Sequence, residues 1–119
     1  MKKILVVDDD ISILRTFASI LEKEGYHVET AETATEATKK ISHNRYDVVL
    51  IDIKLPDAEG TDLLLKIPKA ANTAKIIVTG YSTVEHGEKA ADYGADDYLV
   101  KPVLAEELLT AVKRLVAES

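Results

Sequence analysis

The sequence predicts an α/β fold: a five-stranded parallel sheet, one helix after each strand, layered as a three-layer sandwich. Three observations predict it. Short runs rich in β-branched residues (Ile4-Leu5-Val6-Val7, Val48-Val49-Leu50-Ile51, Ile76-Ile77-Val78, Tyr98-Leu99-Val100) read as strands buried on both faces. Segments with apolar residues at helical spacing lie between them. One helix after each strand forces right-handed parallel crossovers, which place helices on both sides of the sheet.

Taken in order, Ile4-Leu5-Val6-Val7 is the first strand and runs into Asp8-Asp9-Asp10. Ile13, Leu14, Phe17, Ala18, Ile20 and Leu21 then recur at helical spacing, and Gly25 supplies a left-handed stop. His27-Val28-Glu29-Thr30-Ala31 alternates polar and apolar, as a half-exposed edge strand does. Thr33-Ala34-Thr35-Glu36 is a capping box opening a helix with Ala34, Ala37 and Ile41 on its inner face. The strand ending at Ile51 leads to Asp52, a turn carrying Pro56 and Gly60, and a helix through Leu63, Leu64 and Ile67. Pro68 ends or kinks that helix about one turn early, because it lacks an amide donor and restricts Ile67. The fourth strand ends at Thr79. Ser82-Thr83-Val84-Glu85 is a second capping box, whose helix runs to about Tyr93 with Gly94 as its stop. The last strand ends at Lys101-Pro102, and the last helix buries Ala105, Leu108, Leu109, Val112, Leu115 and Val116 in one stripe.

Composition narrows the function classes. A chain of 119 residues without linker, repeat or low-complexity segment is a single domain, residues 1–119. With 46% apolar and 30% charged residues it has the usage of a soluble globular protein, not a disordered one. A net charge of −6 repels nucleic acid, so direct DNA or RNA binding is not expected. The absence of cysteine excludes a disulfide framework and a thiolate metal site, and fits a reducing compartment. The apolar stretch after Met1-Lys2-Lys3 is too short for a signal peptide, and nothing approaches a membrane span. The expectation is a soluble cytoplasmic protein. The chain stops as its last helix ends, so no output domain is expected within it.

In open α/β sheets the ligand site lies beyond the carboxyl ends of the strands. Four strands of this chain end there in polar residues: Asp8-Asp9-Asp10, Asp52, Thr79 and Lys101. Two carboxylates about 4 Å apart repel by about 4 kcal/mol at an effective dielectric of about 20, so Asp8, Asp9 and Asp52 together call for a cation. Oxygen donors without His or Cys favour a hard divalent ion such as Mg²⁺. Three carboxylates and the Lys101 ammonium sum to −2, which one such ion neutralises. A cation and an ammonium beside a carboxylate suit phosphoryl transfer, in which positioning and charge stabilisation dominate. The carboxylate can itself be the acceptor, forming an acyl phosphate. Each residue alone has a plainer reading. Asp10 reads better as a helix cap than as a ligand. A strand-end Asp is usually a turn residue, a strand-end Thr usually bonds to backbone, and Lys101-Pro102 alone is a strand-ending turn. Their coincidence at one edge defeats these readings.

The stretches ILVVDDD, DVVLIDIKLPDAEG, KIIVTGYS and DYLVKPV, in this order and at these separations, resemble the receiver domain of two-component response regulators over essentially the whole chain. The resemblance implies a flavodoxin-like, doubly wound fold with strand order 2-1-3-4-5. It implies that Asp52 is the phosphoacceptor, in a reaction dependent on Mg²⁺ or Mn²⁺. Asp8, Asp9, Asp52 and the backbone carbonyl of Lys54 would hold the ion. Thr79 would be the switch hydroxyl, Lys101 the cation before a cis Pro102, and Tyr98 the aromatic switch residue. Lys54, Gly80 and Tyr81 lie where the family tunes the lifetime of the phosphoryl group, with Tyr81 shielding it from water and Gly80 leaving access. The implied partners are a sensor histidine kinase or phosphotransfer protein and a downstream effector, without nucleic acid or membrane. A phosphorylation-dependent homodimer through the last two helices stays open. The domain would catalyse only its own phosphorylation and dephosphorylation, so it would not count as an enzyme. Leu55 replaces the family's frequent Met. Leu104-Ala105 replaces a polar cap and proline, leaving Leu104 exposed on a partner-binding face of the last strand and last two helices.

Three rival readings remain at this stage. Asp8-Asp9-Asp10-Ile11-Ser12 faintly resembles the start of haloacid-dehalogenase-type phosphohydrolases, in which Asp8 would be the nucleophile, but the chain lacks a cap insertion. A flavin or nucleotide binder needs a phosphate loop where this chain has three aspartates, which repel an anion. A receiver used as a phosphorylation-independent scaffold would have no need of the complete acidic, Thr and Lys set.

Overall fold

The computed structural model describes residues 1–68, 72–80 and 84–118. The elements follow as β1 (Lys3–Val7), α1 (Ile11–Lys23), β2 (His27–Ala31), α2 (Ala34–His43), β3 (Val48–Ile51), α3 (Gly60–Leu64), β4 (Ala74–Thr79), α4 (Val84–Asp92), β5 (Asp97–Val100) and α5 (Ala105–Glu118). The five strands form one parallel sheet in the order β2-β1-β3-β4-β5, as expected. The pleat sends alternate residues to opposite faces, so a strand covered on both sides is apolar throughout. Ile4 and Val6 of β1, Val48 and Leu50 of β3, and Ile76 and Val78 of β4 pack under α1 and α5. Leu5, Val7, Val49, Ile51 and Ile77 face the layer formed by α2, α3 and α4.

Local signals act where the sequence places them. Gly25 and Gly94 take φ +90° and +98° after α1 and α4, a conformation that costs other residues. The Thr33 hydroxyl caps α2 by accepting from Glu36 N–H at 3.0 Å. The Glu36 carboxylate reaches back to Glu32 N–H at 2.7 Å, one residue beyond the partner a capping box predicts. The second box, at Ser82-Thr83-Val84-Glu85, lies largely outside the described residues. α3 is a short helix whose end tightens into i→i−3 bonds from Leu65, Lys66 and Ile67, and Pro68 has no amide to continue them.

The stripe on α5 needs one correction. Ala105 is exposed, while Ala111 is 4% exposed and buried with Leu108, Val112 and Leu115. Ala111 follows Leu108 by three positions and packs in the same core cluster; Ala105, in the first turn of α5, is not part of that cluster.

Candidate functional site

Register brings the polar strand ends together. Val7 of β1 pairs with Ile51 of β3, so the next residues, Asp8 and Asp52, emerge side by side, and Asp52 N–H bonds to the Val7 carbonyl at 3.0 Å. Ile51 pairs with Ile77, which places Thr79 one strand over, and Thr79 pairs with Val100. Lys101 N–H donates to the Thr79 carbonyl at 2.9 Å, fixing where the lysine leaves β5. The sheet order reverses between β1 and β3, so the cluster sits at the switch point where such sheets open a crevice.

Asp8 and Asp52 are buried and Asp9 is exposed, and their nearest carboxylate oxygens all lie within 4.8 Å of one another. Lys101 Nζ stands 2.7 Å from Asp8 Oδ2 and 3.3 Å from Asp52 Oδ2. Asp8 Oδ1 accepts Asp10 N–H at 2.9 Å, so both its oxygens are engaged. Asp52 Oδ1 is buried without any hydrogen-bond partner, a condition that among the described residues it shares with Thr61 Oγ1 alone. Burial pushes the Asp8 carboxyl above its ordinary value, and the Asp52 charge adds to this against the pull of Lys101. Burial pulls Lys101 the other way, yet its hydrogen bond to Asp8 and the nearby carboxylate charges hold it above its ordinary value. Two buried carboxylates thus share one ammonium. Clustered oxygen donors with one orphaned, buried oxygen suit a hard divalent cation.

Thr79 is fully buried at the end of β4. The Lys101–Pro102 peptide is cis. Lys54 is exposed, and its backbone forms a bridge with Glu59 across the β3–α3 loop. Gly80 is exposed beside open space. Tyr98 lies half-buried on β5 against the α2–α4 layer, and burial raises its hydroxyl's pKa. Tyr81 lies outside the described residues. The Asp10 carboxylate is not in the acidic cluster and caps α1, accepting Ser12 N–H at 2.9 Å and Ile13 N–H at 3.4 Å. Leu104 is 66% exposed, and in place of a cap side chain the Glu107 carboxylate accepts its N–H at 3.2 Å.

Two residues of the β3–α3 region with well-defined contacts were not assigned a role from sequence. Gly60 begins α3 against Asp52. A Cβ there would overlap the Asp52 carbonyl oxygen and stand 2.8 Å from Ile51 Cγ2. A glycine following a turn at a helix start was the available signal. Asp57 bonds to the first turn of α2, a contact without any local sequence signature.

The response regulator receiver domain model matches residues 4–113. The response regulator ArlR of Staphylococcus saprophyticus is 35% identical over 98% of this chain, which spans 53% of that protein, about half its length. Among solved structures, a CheY-like response regulator receiver domain protein from Methanospirillum hungatei has a TM-score of 0.95 and 46% identity, covering 99% of this chain and 95% of its own. A response regulator from Burkholderia pseudomallei, solved with a phosphorylated aspartic acid and a calcium ion, has a TM-score of 0.87 and 30% identity over 99% of this chain and 70% of its own. Among the described residues no helix is long and apolar enough to cross a membrane. With this architecture and this acidic edge, the chain belongs to the response regulator receiver domain family.

Proposed function

We propose that the chain, as one receiver domain over residues 1–119, is a cytoplasmic signalling switch phosphorylated on Asp52. The observation that carries this reading is the buried, unpartnered Asp52 Oδ1 among like charges and one ammonium. Asp8 has both oxygens engaged, which weighs against the phosphohydrolase reading that needs it as nucleophile.

In the forward step an Asp52 oxygen attacks the phosphorus of a phosphohistidine on a sensor kinase or phosphotransfer protein. The new P–O bond forms as the P–N bond breaks, and the imidazole leaves, taking a proton from solvent. Asp8, Asp9, Asp52 and the Lys54 backbone carbonyl would hold Mg²⁺ or Mn²⁺, which when bound neutralises charge on the phosphoryl oxygens. Lys101, already 3.3 Å from Asp52 Oδ2, offers its ammonium to a phosphoryl oxygen, and the Thr79 hydroxyl donates to another. In the reverse step water attacks phosphorus and the Asp52 carboxylate leaves. Lys54, Gly80 and Tyr81 set how fast that water arrives. The domain thereby modifies only itself and turns over no separate substrate. The added charge and acceptor oxygens bias Thr79, Tyr98 and α4 between two arrangements, which an effector reads. Val100 and Leu104, 45% and 66% exposed, support a partner-binding face on β5, α4 and α5. An unchanged partner affinity in Leu104→Asp would remove that face.

The test is phosphorylation by acetyl phosphate with Mg²⁺, followed by mapping of the adduct by mass spectrometry. The expected adduct is on Asp52 and is lost in Asp52→Asn. An adduct on Asp8 would overturn the switch in favour of phosphohydrolase chemistry.

A further inference from the structure

The loop from Ile53 to Glu59 leaves Asp52 and returns to it. Gly60 N–H bonds back to the Ile53 carbonyl, Leu55 N–H to the Ala58 carbonyl, and Lys54 bridges Glu59. At the tip of this closed loop, the Asp57 carboxylate reaches across to α2. It accepts Ala34 N–H at 2.8 Å through Oδ1, and Thr35 N–H at 2.9 Å and the Thr35 hydroxyl at 2.7 Å through Oδ2. α2 already has its own cap in Thr33, so Asp57 serves as a second cap supplied from 22 or 23 residues away. Three donors converge on one exposed carboxylate and hold its pKa down at about 2, so it is ionised at any physiological pH. Thr33 serves only the Glu36 amide, so Asp57 supplies acceptors for the two first amides of α2 and in doing so ties its own loop to that helix.

The contact closes a ring around the acidic cluster. Asp8 N–H bonds to the Ala31 carbonyl at the end of β2, and β2 leads in three residues to α2. From the first turn of α2, Asp57 returns the connection to the loop that starts at Asp52, while Asp52 N–H bonds to the Val7 carbonyl beside Asp8. The backbone after Asp52 therefore has a fixed distance from the backbone around Asp8. On the loop's other side Glu59 is held by Lys89 of α4 at 3.1 Å, so the segment is tied to both neighbouring helices.

We infer that Asp57 is a positioning residue for the cation site: by pinning the β3–α3 loop to the first turn of α2, it fixes the backbone of Lys54 relative to Asp8 and Asp52. The inference rests on the reading of the Lys54 carbonyl as a ligand. Outer-shell groups that orient a metal's ligands typically change affinity about 10- to 100-fold when removed.

The experiment is Mg²⁺ titration of the folded protein, without any phosphoryl donor, followed by NMR amide shifts in low and high salt. Thr33→Ala serves as the control, since it removes the local cap of α2 and leaves the loop untouched. Asp57→Ala should weaken Mg²⁺ binding about tenfold, the low end expected for an outer-shell group acting through a backbone. Asp57→Asn, which keeps an acceptor oxygen, should recover part of that loss, and Thr33→Ala should bind within about twofold of the wild type. Should Asp57→Ala not fold, Asp57→Asn against Thr33→Ala makes the same comparison. Wild-type affinity in Asp57→Ala overturns the inference, as does an equal loss in Thr33→Ala, which would make the effect one of helix stability. An equal loss in Asp57→Ala and Asp57→Asn that vanishes in high salt also overturns it, since long-range charge would then suffice. Absence of Mg²⁺ binding by the wild type would instead overturn the cation site itself.

Discussion

The two edges of the sheet treat the same residue type in opposite ways. At the amino edge Asp47, 9% exposed, accepts Lys3 N–H at 2.8 Å and the Arg45 guanidinium at 2.8 Å. Burial pushes its carboxyl up, but these donors outweigh burial and leave it below its ordinary value. Nearby, Glu29 accepts the Tyr46 hydroxyl at 2.7 Å and pairs with Lys3 Nζ at 3.2 Å, and it too is held low. At the carboxyl edge Asp8 is held high, and Asp52 keeps a buried oxygen without a partner. One edge matches its carboxylates with donors and contributes stability. The other leaves two buried carboxylates to one ammonium, at a cost in stability that a divalent cation would relieve.

The largest effect is steric. Gly60→Ala should destabilise by about 3 kcal/mol or more in urea unfolding, because the new methyl overlaps the Asp52 carbonyl oxygen, where backbone cannot yield. A loss under about 1 kcal/mol would mean that the loop shifts readily and that the carboxyl edge is not rigidly built. Next comes charge removal at each edge, measured with EDTA present. Asp47→Ala should cost about 2 kcal/mol, since it removes the acceptor of the Lys3 amide and breaks the ion pair with Arg45. Asp52→Asn should cost nothing or stabilise by up to about 1 kcal/mol, because it relieves repulsion with Asp8. Equal destabilisation by the two variants would erase the contrast. Adding Mg²⁺ at tenfold its dissociation constant should then stabilise the wild type by about 1.4 kcal/mol and Asp52→Asn by less.

How much of this was readable from the chain follows from the range of each interaction. The strands and the polar residues at their ends are local patterns, so Asp8, Asp52, Thr79 and Lys101 could be placed on one edge from the sequence alone. Asp10 as a cap and Gly25 and Gly94 as stops are equally local. Asp57 on α2 and Tyr46 on Glu29 are not: both depend on how one element lies beside another, and nothing near either residue marks its partner. Gly60 falls between, since a glycine there was visible but the Asp52 backbone it abuts was not. Ala105 was misplaced for a related reason. Periodicity gives the buried face of α5 but not how far along the helix the packing extends.

The smallest expected effect isolates the amino edge. The Tyr46 hydroxyl is the main reason Glu29 is held below its ordinary value, ahead of the opposing effect of burial and the help of Lys3. Tyr46→Phe removes that donor and keeps the ring, so Glu29 should return toward its ordinary value in an NMR titration. A carboxyl with a lowered folded pKa stabilises fully above its unfolded pKa, about 4.3 for Glu, and loses that contribution as pH falls through the folded value. The wild type should therefore exceed Tyr46→Phe by about 1 kcal/mol at pH 7, and the gap should close as pH drops below about 4. A gap of the same size at acid pH would mean that the hydroxyl acts other than through ionised Glu29. Because Tyr46 and Asp52 lie at opposite ends of the sheet, acetyl phosphate should label Tyr46→Phe at the wild-type rate. A changed rate would show that the two edges are coupled through the sheet, and that the frustration at Asp52 is partly set from the far side.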